Sequence, residues 1–432
     1  MANDNWAERK IGDDCFVGDG IHAKIERQET GISYLTCRNF KDGKLDLSKV
    51  DYISENDFNR HCKDNSHAKI KPRYNDVVFS IIGSIGEPYL VKNGDHFGIS
   101  SSVAILRPDP SFLFPKYLYY WIKGSIFQNA IYGIKGGVAQ GYVSLEMIRS
   151  LPLKYPPLPT QRKIAAILSA YDDLIENNTR RIKIMEEMAQ ALYREWFVHF
   201  RFPGHEKVPM VDSPLGRIPE GWEVDELGNI VSEIIDYRGK TPKKLGGDWC
   251  EEGIITLSAL NVKQGKLVNL DKAKRVDEKL YRKWMKSELM KGDILMTSEA
   301  PLGELYWLAE KRTYCLSQRL FSIRANKDRI QSAMLFYFLS SQVIQKEIKA
   351  RATGTTVLGI RQSQLRNVPI IIPPQKIQER IASIFEDFLI AVNVLQMKND
   401  KLRLTRDFLL PKLLSDEINV ENLEIKVEEM NS

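Results

Sequence analysis

The sequence predicts an α+β fold: two similar mixed α/β domains separated by two long helices, which pair as an antiparallel coiled coil with pseudo-twofold duplication. Three observations predict it. The stretch PPLPTQRKIAAILSAYDDLI, from Pro156 to Ile175, returns as PPQKIQERIASIFEDFLIAV, from Pro373 to Val392. Each copy follows a region of short apolar runs set between turn residues. Each copy also opens a sustained heptad pattern of apolar a and d positions.

The repeat extends well beyond the helices. An offset of 217 aligns Asp76 with Asp293, Gly86 with Gly303, Arg107 with Arg324, Gly137 with Gly354, Pro152 with Pro369 and Gln161 with Gln378. Upstream the offset drifts, as loop insertions would cause, yet GISYLTCRNFKDGKLDL from Gly31 still matches GIITLSALNVKQGKLVNL from Gly253. A period this long marks duplicated domains, because solenoid repeats run to about 20–50 residues.

Taken in order, residues 1–155 form the first domain. DVVFSIIG and SVAILR read as strands between Gly, Asp and Ser turns, and FPKYLYYWIKGSIFQNAI has helical spacing. Residues 156–200 form the first coiled-coil helix, and 201–221, rich in Pro and Gly, form a linker that cannot continue it. Residues 222–372 repeat the domain, with DILMTS and RLFSIR as strands and SAMLFYFLSSQVIQKEI at helical spacing. Residues 373–415 form the second helix, and 416–432 an acidic tail.

In the first helix, Ile164, Tyr171, Asn178, Met185 and Leu192 occupy a, and Leu168, Ile175, Ile182, Ala189 and Trp196 occupy d. The second places Ile381, Phe388, Leu395, Leu402 and Leu409 at a, with Phe385, Val392, Asn399, Arg406 and Leu413 at d. About 40 residues at ~1.5 Å each make a rod of roughly 60 Å. Aligning the helix ends antiparallel sets Ile164 against Leu413, Tyr171 against Arg406, Asn178 against Asn399 and Met185 against Val392. A lone seam asparagine facing leucine costs stability, whereas facing asparagine it satisfies its amide and fixes the register. That register brings Tyr171 and Arg406 together, where ring and guanidinium can stack.

Composition limits the function classes. At 43% hydrophobic and 27% charged residues, the chain is an ordinary globular protein without an apolar run long enough to span a bilayer. Its five cysteines are scattered without a CxxC, so neither a disulfide framework nor a metal site is expected, and the cytoplasm fits. The segment Ser415 to Ser432 holds six acids and one lysine, leaving a net +11 on the rest, compatible with a polyanionic partner. No catalytic motif is complete. Asp109-Pro110-Ser111-Phe112 lacks the second proline of an adenine-methyltransferase motif, Gly239-Lys240-Thr241 lacks the phosphate-loop glycine at Ile234, and Glu347-Ile348-Lys349 has no paired nuclease acid.

Two similar domains on a stiff spacer suit a periodic ligand, and accessible major-groove faces of DNA recur about every 34–36 Å. PLPTQRKIAAILSAYDDLIE, FPGHEKVPMVDSPLGRIPEGWEV and LRLTRDFLLPKLLSDEI resemble segments of the specificity subunit of type I restriction–modification systems. DYRGKTPKK and ATGTTVLGI are similar to pieces of that family's target-recognition domains. The resemblance implies a non-catalytic subunit that reads double-stranded DNA and binds no cofactor itself. It also implies two methyltransferase subunits using S-adenosylmethionine and restriction subunits using ATP and Mg. The coiled coil would then serve as spacer and dock. A competing reading is an autonomous DNA-binding protein without enzyme partners.

Phosphates call for Lys and Arg, and base edges for Arg, Gln, Asn, Ser or Thr. In the second domain the candidates are Tyr237, Arg238, Lys240 and Thr241, with Lys243 and Lys244 on phosphates, and Gln318, Arg319, Thr355, Thr356, Arg361 and Gln362 on converging loops. The first domain offers Lys24, Arg27, Arg38, Lys41, Ser84, Lys135, Gln140 and Tyr142. The two sets differ, since nothing in the first domain matches DYRGKTPKK, so an asymmetric bipartite target is expected.

Overall fold

The computed structural model describes residues 6–64, 70–135 and 142–427. The chain divides into two compact units, Met1–Ile175 with Lys401–Ser432, and Glu176–Asp400. Each is built around a four-stranded antiparallel sheet. In the first unit its strands are β1 (Cys15–Asp19), β2 (Val77–Ser80), β3 (Pro88–Leu90) and β4 (Val103–Pro108), in the order β1-β4-β2-β3. In the second they are β5 (Val231–Asp236), β6 (Ile294–Thr297), β7 (Leu305–Trp307) and β8 (Leu320–Ala325), in the equivalent order β5-β8-β6-β7.

The central strands are apolar on both faces because both faces are covered. Val77 and Phe79 of β2 pack into one core while Val78 packs into another. In β6, Ile294 and Met296 enter one core and Leu295 the other. At each sheet one buried carboxylate grips one arginine in the same two-bond fork. Arg107 Nε and Nη2 donate to Asp76 at 2.8 Å each, and Arg324 repeats both distances on Asp293. These bonds hold both guanidinium pKa values above the usual arginine range.

A mixed three-stranded sheet flanks each of these, Asp51–Ile53, Ile32–Leu35 and Phe97–Ile99 in one unit, Arg275–Val276, Ile254–Leu257 and Cys315–Leu316 in the other. The motif Lys-x-Gly-Lys makes a tight hairpin in both, with φ of +51° and +74° at Asp42 and Gly43, and +48° and +70° at Gln264 and Gly265. Two left-handed residues in succession are what a type I′ turn requires.

Two expectations meet differences. FPKYLYYWIKGSIFQNAI forms two helices, Pro115–Lys123 and Ser125–Lys135. They break at Gly124, where a Cβ would lie 2.7 Å from Leu414 Cδ1. The second-domain counterpart breaks at Ser341, whose hydroxyl accepts from Ile344 N at 3.3 Å and starts a new helix. The linker, which ends the helix as read from its Pro and Gly content, also contains a hairpin of Met210–Ser213 and Gly216–Pro219.

The first long helix, α1, spans Leu158–Tyr193 and the second, α2, Gln375–Leu414. In the first unit, Ile164 and Leu168 share a core with Leu410, Leu413 and Leu414. In the second, Ile182 and Met185 pack on Val392 and Leu395. Asn178 Nδ2 donates to Asn399 Oδ1 at 2.9 Å, and Asn399 is 3% exposed while Asn178 is half-buried. The antiparallel register and its asparagine pair stand as expected. The Tyr171–Arg406 stack does not form, because Arg406 is drawn to the carboxylates of Asp172 and Asp407 instead.

The duplicated Pro-Pro-x3-Gln element has a structural cause. Gln161, fully buried, donates to the carbonyls of Phe112 and Pro156 at 2.8 Å each and accepts from Phe114 N at 2.8 Å. Gln378 donates to Arg329 O and Pro373 O at 2.9 Å each and accepts from Gln331 N at 3.3 Å. One buried amide thus ties each long helix to the loop of its own domain, satisfying backbone groups that water cannot reach.

Candidate nucleic-acid interface

In the second unit the predicted loops meet at one edge of the four-stranded sheet. Ser298, just past β6, donates its backbone N–H to Arg319 O at 2.9 Å and accepts from Ile360 N at 2.9 Å. Thr353 and Gly359 exchange two backbone bonds of 2.8 and 3.0 Å, closing a short hairpin whose tip carries exposed Thr355 and Thr356. Gln318, Arg319 and Arg361 are exposed beside it. These five residues present donors and acceptors outward from one rigidly bonded patch.

The stretch after β5 has two roles. Arg238 turns inward: its Nε and Nη2 donate to Asp236 at 2.9 and 2.7 Å, and Nη1 donates to Ile360 O at 3.2 Å. Its guanidinium also lies 4.3 Å from the Phe321 ring centroid. These bonds and the ring contact engage the guanidinium within its own domain, so Arg238 joins the loops to one another. Lys240 donates from Nζ to Trp284 O at 2.8 Å above the Tyr237 ring, and burial, then the Lys286 charge, pushes its pKa down. Tyr237 Oη accepts from Lys286 N and Ser287 N at 2.9 and 2.8 Å. Gln362 donates to Ile234 O at 2.8 Å. Thr241 Oγ1 accepts from Lys244 N at 3.4 Å; Lys243 is exposed, and so is Lys244, whose Nζ donates to Gly239 O at 2.8 Å at the surface. The outward cations here are therefore Lys243 and Lys244, joined by Lys274, Lys283 and Lys286, which sequence reasoning passed over.

The first unit uses the same scaffold. Ile81 N donates to Ser102 O at 2.9 Å and Val143 N to Ile81 O at 3.2 Å, bringing exposed Ser84 and Tyr142 to the corresponding edge. Lys24 and Lys41 are exposed. Arg27 and Arg38 share Asp51 at 3.7 and 2.9 Å, with Arg27 also 3.9 Å from the Tyr34 ring centroid. Gln140 lies outside the described residues, as does the Lys135 side chain. Where the second unit sets Arg238 on Asp236, the first sets His22 on Asp19 at 2.7 Å.

Glu299 is the most informative residue that sequence reasoning missed. Its Oε1 lies 3.0 Å from Arg319 Nε at the exposed edge, and the 217 offset places it opposite Ile82. That contrast was available from the repeat alone.

The family described as type I restriction modification DNA specificity domain matches this chain twice, at residues 3–187 and 219–404. The chain belongs to that family. Within it, the MjaIX type I restriction enzyme specificity subunit of Methanocaldococcus jannaschii is 29% identical over 327 residues, covering 71% of this chain and 70% of that protein. The HindI specificity subunit of Haemophilus influenzae is 23% identical over 419 residues, covering 81% and 88%. The crystal structure of a type I restriction–modification S subunit from M. genitalium covers 95% of this chain and 97% of its own, at TM-score 0.64 and 17% identity, a likeness of fold. Among the described residues of this specificity-family chain, no helix is long and apolar enough to cross a membrane.

Proposed function

We propose that this chain is the sequence-reading specificity subunit of a type I restriction–modification complex. Residues 1–155 and 222–372 act as target-recognition domains, each reading one half of an asymmetric bipartite site. The paired helices, within 156–200 and 373–415, set the unread gap and dock two methyltransferase subunits. Catalysis belongs to the partners: adenine methylation with S-adenosylmethionine, and ATP- and Mg-dependent cleavage by restriction subunits. The chain itself binds no cofactor and works in the cytoplasm.

The observation that carries this reading is the duplicated frame with different outward residues. Thr355, Thr356 and Arg361 stand at one loop edge, and Ser84 and Tyr142 at the other. Arg238, Lys240 and Gln362 shape the second domain's reading loops, while Lys243 and Lys244 approach phosphates.

The test is duplex binding by the purified chain, alone and with its methyltransferase subunits, across salt concentrations. Tight, site-selective binding is expected only in the assembly, with log affinity falling linearly against log salt. Equally selective binding by the chain alone would favour an autonomous DNA-binding protein.

A further inference from the structure

We propose that Glu299 and Arg319 together read one C·G base pair in the half-site of the second domain. This rests on the DNA-reading function proposed above. Glu299 accepts from the cytosine amino group, and Arg319 donates to the paired guanine.

The geometry is that of a presented pair. Arg319 Nε lies 3.0 Å from Glu299 Oε1, and the two side chains are 54% and 38% exposed. Both backbones are tied into the loop patch: Ser298 N donates to Arg319 O at 2.9 Å, and Glu299 bridges to Gly359 across the base of the Thr353–Gly359 hairpin. The adjoining backbone is left-handed at residues that bear a Cβ, with φ of +52° at Ala300 and +62° at Arg319. Such conformations are disfavoured for L side chains and gather where function needs them. An exposed ion pair adds little to stability, so stability does not account for the arrangement.

The other unit provides an internal comparison. The same backbone bond joins Ile81 N to Ser102 O at 2.9 Å. There Ile82, 40% exposed, occupies the Glu299 position. Ser102 occupies the Arg319 position, and its hydroxyl accepts from Cys37 N at 3.0 Å. The frame is kept and the two charges are replaced, as expected at positions that select a base.

The chemistry narrows the choice. A carboxylate is repelled by phosphates and can only accept, so its partner in the major groove is an amino group, cytosine N4 or adenine N6. Both amino groups have an acceptor beside them, N7 or thymine O4 in an A·T pair and guanine O6 in a C·G pair. Guanine alone adds a second acceptor, N7, next to O6, so the C·G pair gives Arg319 a two-bond partner while Glu299 accepts from cytosine N4. Arg319 alone could hold a phosphate, but the adjoining carboxylate opposes that.

The test uses the chain assembled with its methyltransferase subunits on a randomised duplex library, reading the methylated motif. Glu299→Gln keeps size and removes charge. It should relax discrimination by roughly 10-fold or more at one C·G position in one half-site, leaving the other half-site intact. Arg319→Ala should relax the same position. An unchanged Glu299→Gln motif, or relaxation of the two variants at different positions, overturns the assignment. A wild-type assembly without any sequence preference would instead overturn the underlying function.

Discussion

The asparagine pair gives the sharpest energetic prediction. Asn399 is 3% exposed and accepts from Asn178 Nδ2 at 2.9 Å, while its own Nδ2 donates to Thr179 Oγ1 at 3.3 Å. Replacing Asn178 with Leu leaves the Asn399 carbonyl buried without its donor, a penalty of about 1–3 kcal/mol. The new side chain recovers only part of that, because position 178 is half-buried. Replacing Asn399 with Leu in that background removes the orphaned amide and buries an apolar side chain at a d position, so stability should rise again. The pairwise coupling expected is about 1–2 kcal/mol. Urea unfolding of the four members of the cycle measures it, provided the m-values agree. If Asn399→Leu changes stability equally in wild type and in Asn178→Leu, the two amides do not depend on each other and the reasoning fails.

Other outcomes follow from the same geometry. Gln378→Leu strips three backbone partners from a residue 2% exposed and should cost about 3 kcal/mol, read as a lower urea midpoint. Arg238→Ala should lower the thermal midpoint by breaking the Asp236 fork and the Ile360 tie, a loss of about 2 kcal/mol. An unchanged melting curve would return Arg238 to the DNA. Replacing Lys243 and Lys244 with Ala should weaken duplex binding by the assembly uniformly across sequences and reduce the log–log salt slope by about 2. A change confined to particular bases would make them readers instead of phosphate contacts.

The repeat, the heptads and the seam asparagines were legible because each rests on periodic burial, which sequence displays directly. The forks of Asp76 on Arg107 and Asp293 on Arg324 could be anticipated as aligned positions, though their bonding could not. The helix break at Gly124 was hidden, since helical spacing of apolar residues continues across it, as it does across the aligned break at Ser341. Side-chain direction was the harder problem. Arg238 and Lys243 are both cations in DYRGKTPKK, yet one is enclosed by Asp236, Phe321 and Ile360 while the other faces outward. Local sequence does not encode which carbonyl or ring a long side chain will find. The stack open to Arg406 was lost for the same reason, with Asp172 near enough to outcompete the Tyr171 ring.

The most direct measurement is methylation mapping of host DNA with this chain present and absent. The account predicts a motif that vanishes with the chain and consists of two unlike short sequences flanking a gap of constant length. A continuous site, a palindrome, or methylation unaffected by loss of the chain would contradict it.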